Sequence, residues 1–189
     1  AMGYETTASG TYSTAMGAGT TASGVISTAM GGGTTASGTY STAMGAGTTA
    51  SGNASTAMGD GTIASGAFST AMGRNSKASD YGSLVIGQYN SSGSSATSAD
   101  SFSTANTAFV IGNGVDSSNI SDAFSILFDG TTNIAGSVTA TSFVGDGSQL
   151  TGITGSASSL NDLTDVLVVN NSMFLGTPPT NSTGTDNTA

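Results

Sequence analysis

The sequence predicts an all-β protein: a parallel β-roll or β-solenoid of fourteen-residue coils, homotrimeric, followed by a β-rich trimeric fibre module. Three observations carry that expectation. Methionine recurs every fourteen residues, at Met2, Met16, Met30, Met44, Met58 and Met72, with Ile86 in the seventh place. The same two words return around each Met, STAMG as in Ser27-Thr28-Ala29-Met30-Gly31 and TTASG as in Thr20-Thr21-Ala22-Ser23-Gly24. The composition, with 29 Gly and only 7% charged residues, would alone suit a low-complexity linker. A linker has no reason to hold Met at one phase, so the register argues for stacked structural units.

Each period divides into two five-residue words joined by two-residue links. Five residues suit a short strand, and the Gly closing each word can take the positive φ of a sharp corner. Two strands and two corners make a narrow, flattened coil. Six such coils stacked at about 4.8 Å span roughly 29 Å.

Side-chain alternation assigns the faces. In STAMG, Ser27 and Ala29 share one side and Thr28 and Met30 the other. A narrow coil has room for Ser and Ala but not for Met, so the Met stripe points outward. In TTASG, Ala22 faces inward and Thr21 and Ser23 outward. An exposed apolar stripe several coils long is an aggregation hazard unless covered. Its economical cover is a copy of itself about a symmetry axis, which makes Met2, Met16, Met30, Met44, Met58, Met72 and Ile86 the candidate trimer interface.

The variable residues gather at one link phase: Tyr12, Ile26, Tyr40, Ala54, Phe68 and Gly82. They either pack on a neighbouring chain or form a recognition ladder, for which Tyr12, Ile26, Tyr40 and Phe68 are the candidates.

Residues 1–87 form the repeat array. Residues 88–114 read as an irregular polar segment followed by a closing coil, with Ala108-Phe109-Val110-Ile111-Gly112 restoring a strand. Residues 115–155 read as the β-rich fibre module, with strands expected at 122–128 and 137–143 and a turn at Asp129-Gly130. Residues 156–189 read as a connector and polar tail, with a strand or helical turn at 162–169. The chain begins inside a repeat word and ends at Asn187-Thr188-Ala189 without a stop feature, so it reads as a segment of a longer protein.

The formal net charge is −9, with Arg74 and Lys77 the two basic residues, which disfavours nucleic acid as a partner. The chain has no Cys and no His, and its sequence holds neither a phosphate loop nor a catalytic triad. Asp162 with Asp165 could be read as paired carboxylates, and Asp129 with Asp146 as calcium ligands. Turn-capping and solubility account for such Asp residues, and neither Asp-Gly turn has the ligand spacing of a calcium loop. The expectation is a non-enzymatic protein without cofactor or metal. No signal peptide or membrane-spanning run appears, so no direct membrane insertion is expected of this segment.

The STAMG words at Ser13–Gly17, Ser27–Gly31, Ser41–Gly45, Ser55–Gly59 and Ser69–Gly73, with the close variant Ser83–Gly87, resemble the head repeats of trimeric autotransporter adhesins. That resemblance implies a left-handed parallel β-roll trimer. Met replaces the Val or Ile usual there, a conservative change at an apolar interface. In the second half, Ala108–Gly114, Ser121–Phe124, Thr139–Ile153 and Leu160–Val166 resemble phrases of bacteriophage tail fibres, which also occur in bacterial surface proteins. The resemblance implies an extracellular homotrimeric fibre whose partners are itself and a host cell-surface receptor or glycan. A phage tail fibre involved in host attachment is the leading reading, on a virion tail. A bacterial trimeric autotransporter-type adhesin or surface filament is the alternative, on a cell surface. A tailspike glycan hydrolase and an ice-binding solenoid are remote ones; the latter would use the outward Thr21-x-Ser23 ladder, whose second place is Ser where ice binding favours Thr.

Overall fold

The computed structural model describes residues 1–142, 144–145 and two strands, Val166–Val169 and Ser172–Leu175. The chain divides into two compact units, residues 1–139 and 140–189. Among the described residues all regular structure is β-strand.

In the first unit each fourteen-residue period closes one coil of a parallel solenoid. The Met-bearing word supplies a five-residue strand, such as Thr28–Gly32 or Thr42–Ala46. The other word supplies only two strand residues, such as Thr35–Ala36, and not the five its length suggests. Its Ser and Gly already belong to the corner. Like strands stack on like, giving a ten-stranded sheet on one face of the coil and a six-stranded sheet on the other. Hydrogen bonds of 2.8–2.9 Å join successive coils, as from Thr21 N–H to the Thr34 carbonyl and from Thr28 N–H to the Ser41 carbonyl.

The interior is narrow and is filled by small residues. Ala29, Ala43 and Ala57 line it from one sheet and Ala36, Ala50 and Ala64 from the other, all fully buried. Ser27, Ser41 and Ser55 also point inward, as the alternation predicts. The structure adds a fourth inward position that the pattern analysis did not assign, the first Thr of TTASG. Thr20, Thr34, Thr48 and Thr62 are wholly buried, and their hydroxyls have no hydrogen-bond partner in the protein. By contrast, the Ser27 and Ser55 hydroxyls donate to the carbonyls of Gly24 and Gly52 at 2.7 and 2.8 Å.

The corners differ from expectation. Gly31 and Gly45, closing the Met word, do adopt positive φ, both at 120°. They lie within the strands Thr28–Gly32 and Thr42–Ala46, however, and the chain turns two residues later at Gly33 and Gly47, with φ 63° and 61°. Gly24 and Gly38, closing the other word, do not adopt positive φ. The second corner instead turns at the link residue, where Tyr12, Ile26, Tyr40, Ala54 and Phe68 have φ of 51–59°. Gly38 is needed for a different reason: a Cβ there would lie 2.0 Å from the Gly52 carbonyl oxygen of the next coil.

The polar stretch after Gln88 is irregular but well anchored. The fully buried Asp80 carboxylate accepts hydrogen bonds from the backbone N–H groups of Thr97, Ser98 and Thr107. Asn90 ends the smaller sheet by imitating a strand: its side-chain oxygen accepts from Lys77 N–H at 2.8 Å and its amide donates to the Lys77 carbonyl at 2.9 Å. Thr107–Asn113 then returns as a strand parallel to Leu84–Gln88, in the register Val85↔Val110 and Ile86↔Ile111. Val85 and Val110 take the buried Ala phase where the smaller sheet has no further strand.

Beyond this strand the same sheet turns antiparallel. Asp122–Leu127 pairs with Thr107–Asn113, and Thr132–Ile134 pairs with Asp122–Leu127. Asp129-Gly130 makes the expected turn, with Gly130 at φ 91°. The strand expected at 137–143 is absent over residues 137–142, and the edge position belongs to Thr132–Ile134. Phe143 lies outside the described residues, as do Asp146, Asp162 and Asp165. In the second unit Val166–Val169 and Ser172–Leu175 form an antiparallel pair, so the strand alternative holds for the described part of 162–169.

Candidate functional site

Two linear features run the length of the solenoid, one on its larger sheet and one along a corner. The first is the Met stripe. Strand pairing places Met2 against Met16, Met16 against Met30, Met30 against Met44, Met44 against Met58, and Met58 against Met72. All point outward. Met2, at the end of the stack, is 69% exposed, whereas Met16 to Met72 and Ile86 are half-buried because neighbouring coils cover part of each side chain.

The stripe extends further than the repeat suggests. Ile111 pairs with Ile86, and Phe124 pairs in turn with Ile111. The Phe124 ring lies 5.8 Å from that of Phe109. Aligning Phe109-Val110-Ile111-Gly112 on Leu84-Val85-Ile86-Gly87 places Ile111 in the Met phase. That signal was present in the sequence but interrupted by the segment 88–106.

The second feature is the corner ladder. Tyr12 is 84% exposed, Tyr40 58% and Phe68 55%, and Ile26 is also exposed. The backbone N–H groups of Ile26, Tyr40 and Phe68 reach the carbonyls of Thr11, Val25 and Asn53, one coil back, at 2.7–2.8 Å. All four residues hold the left-handed conformation, Tyr12 included although it makes no such bond. This costs a residue with a Cβ roughly 1–2 kcal/mol and is least tolerable for β-branched Ile26. Gly82 occupies this phase at φ 69° without that cost. Around it an aromatic cluster closes the ladder: Phe68 meets Tyr81 with ring centroids 5.3 Å apart, and Phe102 meets Phe128 at 5.1 Å. Tyr81, Phe102 and Phe128 carry no repeat signal, so only the folded chain joins them to the ladder.

Charges are few on these surfaces. Arg74 and Asp60 sit in register on adjacent coils, 3.9 Å apart and largely exposed. Among the described residues, no three His, Cys, Asp or Glu side chains gather as a metal site. Two carboxyls are held below the ordinary aspartate value by hydrogen bonds. The Asn119 side chain, with the Ser118 N–H, does so for Asp116, and the Thr131 N–H does so for Asp129. Both stabilise turns. No described helix is long and apolar enough to cross a membrane.

These surfaces define a class of protein: a repetitive parallel β-solenoid with an in-register apolar stripe on one face. The repeats themselves match a known family. Residues 1–20, 22–48, 36–62, 50–76 and 64–90 match the YadA head domain repeat. The repeat array, residues 1–90, is therefore a run of repeats of the YadA head type, the head repeats of trimeric autotransporter adhesins. Homotrimer formation is a property of that family. Of the two readings of the fibre's owner, the match favours the bacterial adhesin over the phage tail fibre. No curated protein matches the chain.

Proposed function

We propose that this chain is a non-enzymatic spacer and adhesive segment of a homotrimeric fibre displayed on a bacterial cell surface. The observation that carries the reading is the outward Met stripe, held in register on a YadA-type array. Each Met from Met16 to Met72 is half-covered by its own chain. Packing the remainder against two copies is worth about 1 kcal/mol per side chain, repeated at every coil. The three-fold axis would then run along Met16, Met30, Met44, Met58, Met72, Ile86 and Ile111.

Support for a non-enzymatic role comes from how the carboxylates are used. Asp80, Asp116, Asp122 and Asp129 each accept hydrogen bonds from backbone N–H groups, which commits these four carboxylates to fixing loops. The phage-fibre reading rests on phrases within residues 108–166. Those between 108 and 134 fold as a continuation of the solenoid sheet, which suits either owner, and the repeat match supports the adhesin. A Ser/Thr-covered solenoid with few charges suits a shaft exposed to solvent, and contact with a host receptor or glycan would fall on the corner ladder or on other modules of the fibre.

The test has two parts. Light scattering of the native segment should give the mass of a trimer, and a stable monomer would overturn the assignment of the Met face. Replacing Tyr12, Tyr40 and Phe68 with Ser should leave the trimer intact. Loss of binding to host cells in that variant marks the ladder as the adhesive surface; unchanged binding makes the segment a shaft; loss of the trimer makes the ladder an interface. A membrane-anchoring barrel in the remaining reading frame would support the bacterial surface, and a tail-attachment domain would return the fibre to a virion.

A further inference from the structure

Both basic residues of this acidic chain stand at one corner, three residues apart, and both flank Tyr89. The Arg74 guanidinium lies 5.4 Å from the centroid of the Tyr89 ring. Asn75 donates from its side-chain amide to the Tyr89 hydroxyl oxygen at 3.1 Å, which leaves the hydroxyl proton free to donate outward. Lys77 is fixed from the other side, because Asn90 takes its backbone N–H and carbonyl. Among the described residues the Lys77 ammonium forms no ion pair, whereas Arg74 faces Asp60.

Above this corner hangs the turn that contains Ser117 and Ile120, and beneath it is a cavity of about 200 Å³ lined by Asn75, Lys77, Tyr89, Ser94 and Ser117 among others. The lining combines one cation, hydroxyls, amides, one aromatic ring and the aliphatic side chain of Ile120, with no carboxylate. A cationic ligand would meet Lys77, and a wholly apolar one would strip water from polar groups it cannot replace, whereas a sugar could lay its C–H face on Tyr89 and Ile120. The volume lies below the roughly 300–1,000 Å³ of pockets for drug-sized ligands, which limits the occupant to a single small unit. A carboxylate matches the unpaired ammonium through a charge-assisted hydrogen bond, and ring hydroxyls match the Tyr89 hydroxyl, the Asn75 carbonyl and the serines.

We propose that this corner pocket binds one acidic monosaccharide unit, its carboxylate on Lys77 and its hydroxyls on Tyr89 and Asn75. The site lies within one chain and goes beyond the fibre reading: it names a ligand class and does not depend on the corner ladder. With a single charged anchor, the dissociation constant for a free sugar should be on the order of 1 mM. Repetition of the site around a fibre would raise the avidity for a polyvalent surface.

The experiment is NMR titration of the native segment with glucuronate and with N-acetylneuraminate at up to about 10 mM, using glucose and acetate as controls. At least one acidic sugar should shift the amides of Asn75, Lys77 and Tyr89, while glucose and acetate bind at least several-fold more weakly. Lys77→Gln removes one charge-assisted bond and should weaken binding roughly tenfold. Tyr89→Phe should weaken it several-fold, with mass and melting curve unchanged in both variants. Absence of shifts with both acidic sugars overturns the proposal. So does binding that survives Lys77→Gln, or acetate binding as well as the sugars, which would reduce the site to a bare charge. A monomeric mass of the native segment with intact sugar binding would count against the fibre reading and leave this one standing.

Discussion

Substituting Ala at three glycines of neighbouring corners separates two reasons for glycine that the repeat makes indistinguishable. Gly47 has φ 61° and nothing within 4 Å of where a Cβ would stand. Gly38 lies outside the left-handed range, but its Cβ would sit 2.0 Å from the Gly52 carbonyl oxygen. Gly45 combines both conditions, with φ 120° and a Cβ 2.0 Å from the Gly59 carbonyl oxygen. For Gly47→Ala the left-handed backbone costs about 1–2 kcal/mol, offset by about 0.4–1 kcal/mol because the unfolded chain loses freedom. The net loss should be near 1 kcal/mol or less. At Gly38 the obstacle is a backbone atom, which cannot rotate aside, so the coils must part by more than an ångström. That would break the bonds that Ser37 N–H and Gly38 N–H make to the Ala50 carbonyl, now 2.9 and 3.2 Å. Two buried bonds lost at about 1–2 kcal/mol each, with the strain of overpacking, come to roughly 3–5 kcal/mol. Gly45→Ala should cost at least as much. Urea unfolding of the three variants gives the order directly, with hydrogen exchange locating the loosened coil. If Gly38→Ala were as mild as Gly47→Ala, close approach between coils would not be what holds glycine there.

Met44→Asp should abolish assembly by gathering three like charges in one layer, and light scattering would then show a monomer; a persisting trimer would refute the face assignment. Ala43→Leu should overpack the coil by about 1–3 kcal/mol in thermal unfolding, whereas Thr34→Val, which removes a buried hydroxyl without a protein partner, should stabilise by about 1 kcal/mol. Asp80→Ala would leave the N–H groups of Thr97, Ser98 and Thr107 without their acceptor. It should cost about 3–5 kcal/mol and open residues 91–106 to protease, and unchanged protection there would refute the anchor. The Asp116 carboxyl, held by the Asn119 side chain and Ser118 N–H, should titrate below its ordinary 3.8 in an NMR pH series. Because the folded value is the lower one, its contribution to the turn is complete above the unfolded pKa and is lost as pH falls through the folded pKa. A midpoint at or above 3.8 would contradict that geometry.

The period, the two words and the outward Met phase were legible in the residues themselves, because a repeat imposes the same environment on every copy. Ser27 and Ala29 inward with Met30 outward follow from alternation and from the size of Met relative to the coil. The inward Thr34 was also within reach of alternation, since it stands two residues before Ala36. What the repeat could not supply is any contact whose partners lie in different periods or outside the array. The left-handed conformation of Tyr40 accompanies a hydrogen bond to the neighbouring coil, so a rule that places positive φ at glycine moves this corner to the wrong residue. Asp80 becomes an anchor only when residues 97, 98 and 107 fold back over it, and Asn90 ends a sheet only by facing Lys77. Ile111 rejoins the stripe across twenty-five residues, and Arg74, Lys77 and Tyr89 converge because one corner stacks on the next. Local pattern determines a coil; the stacking of unlike coils, and the loop that closes them, are decided in three dimensions by hydrogen bonds that no single period contains.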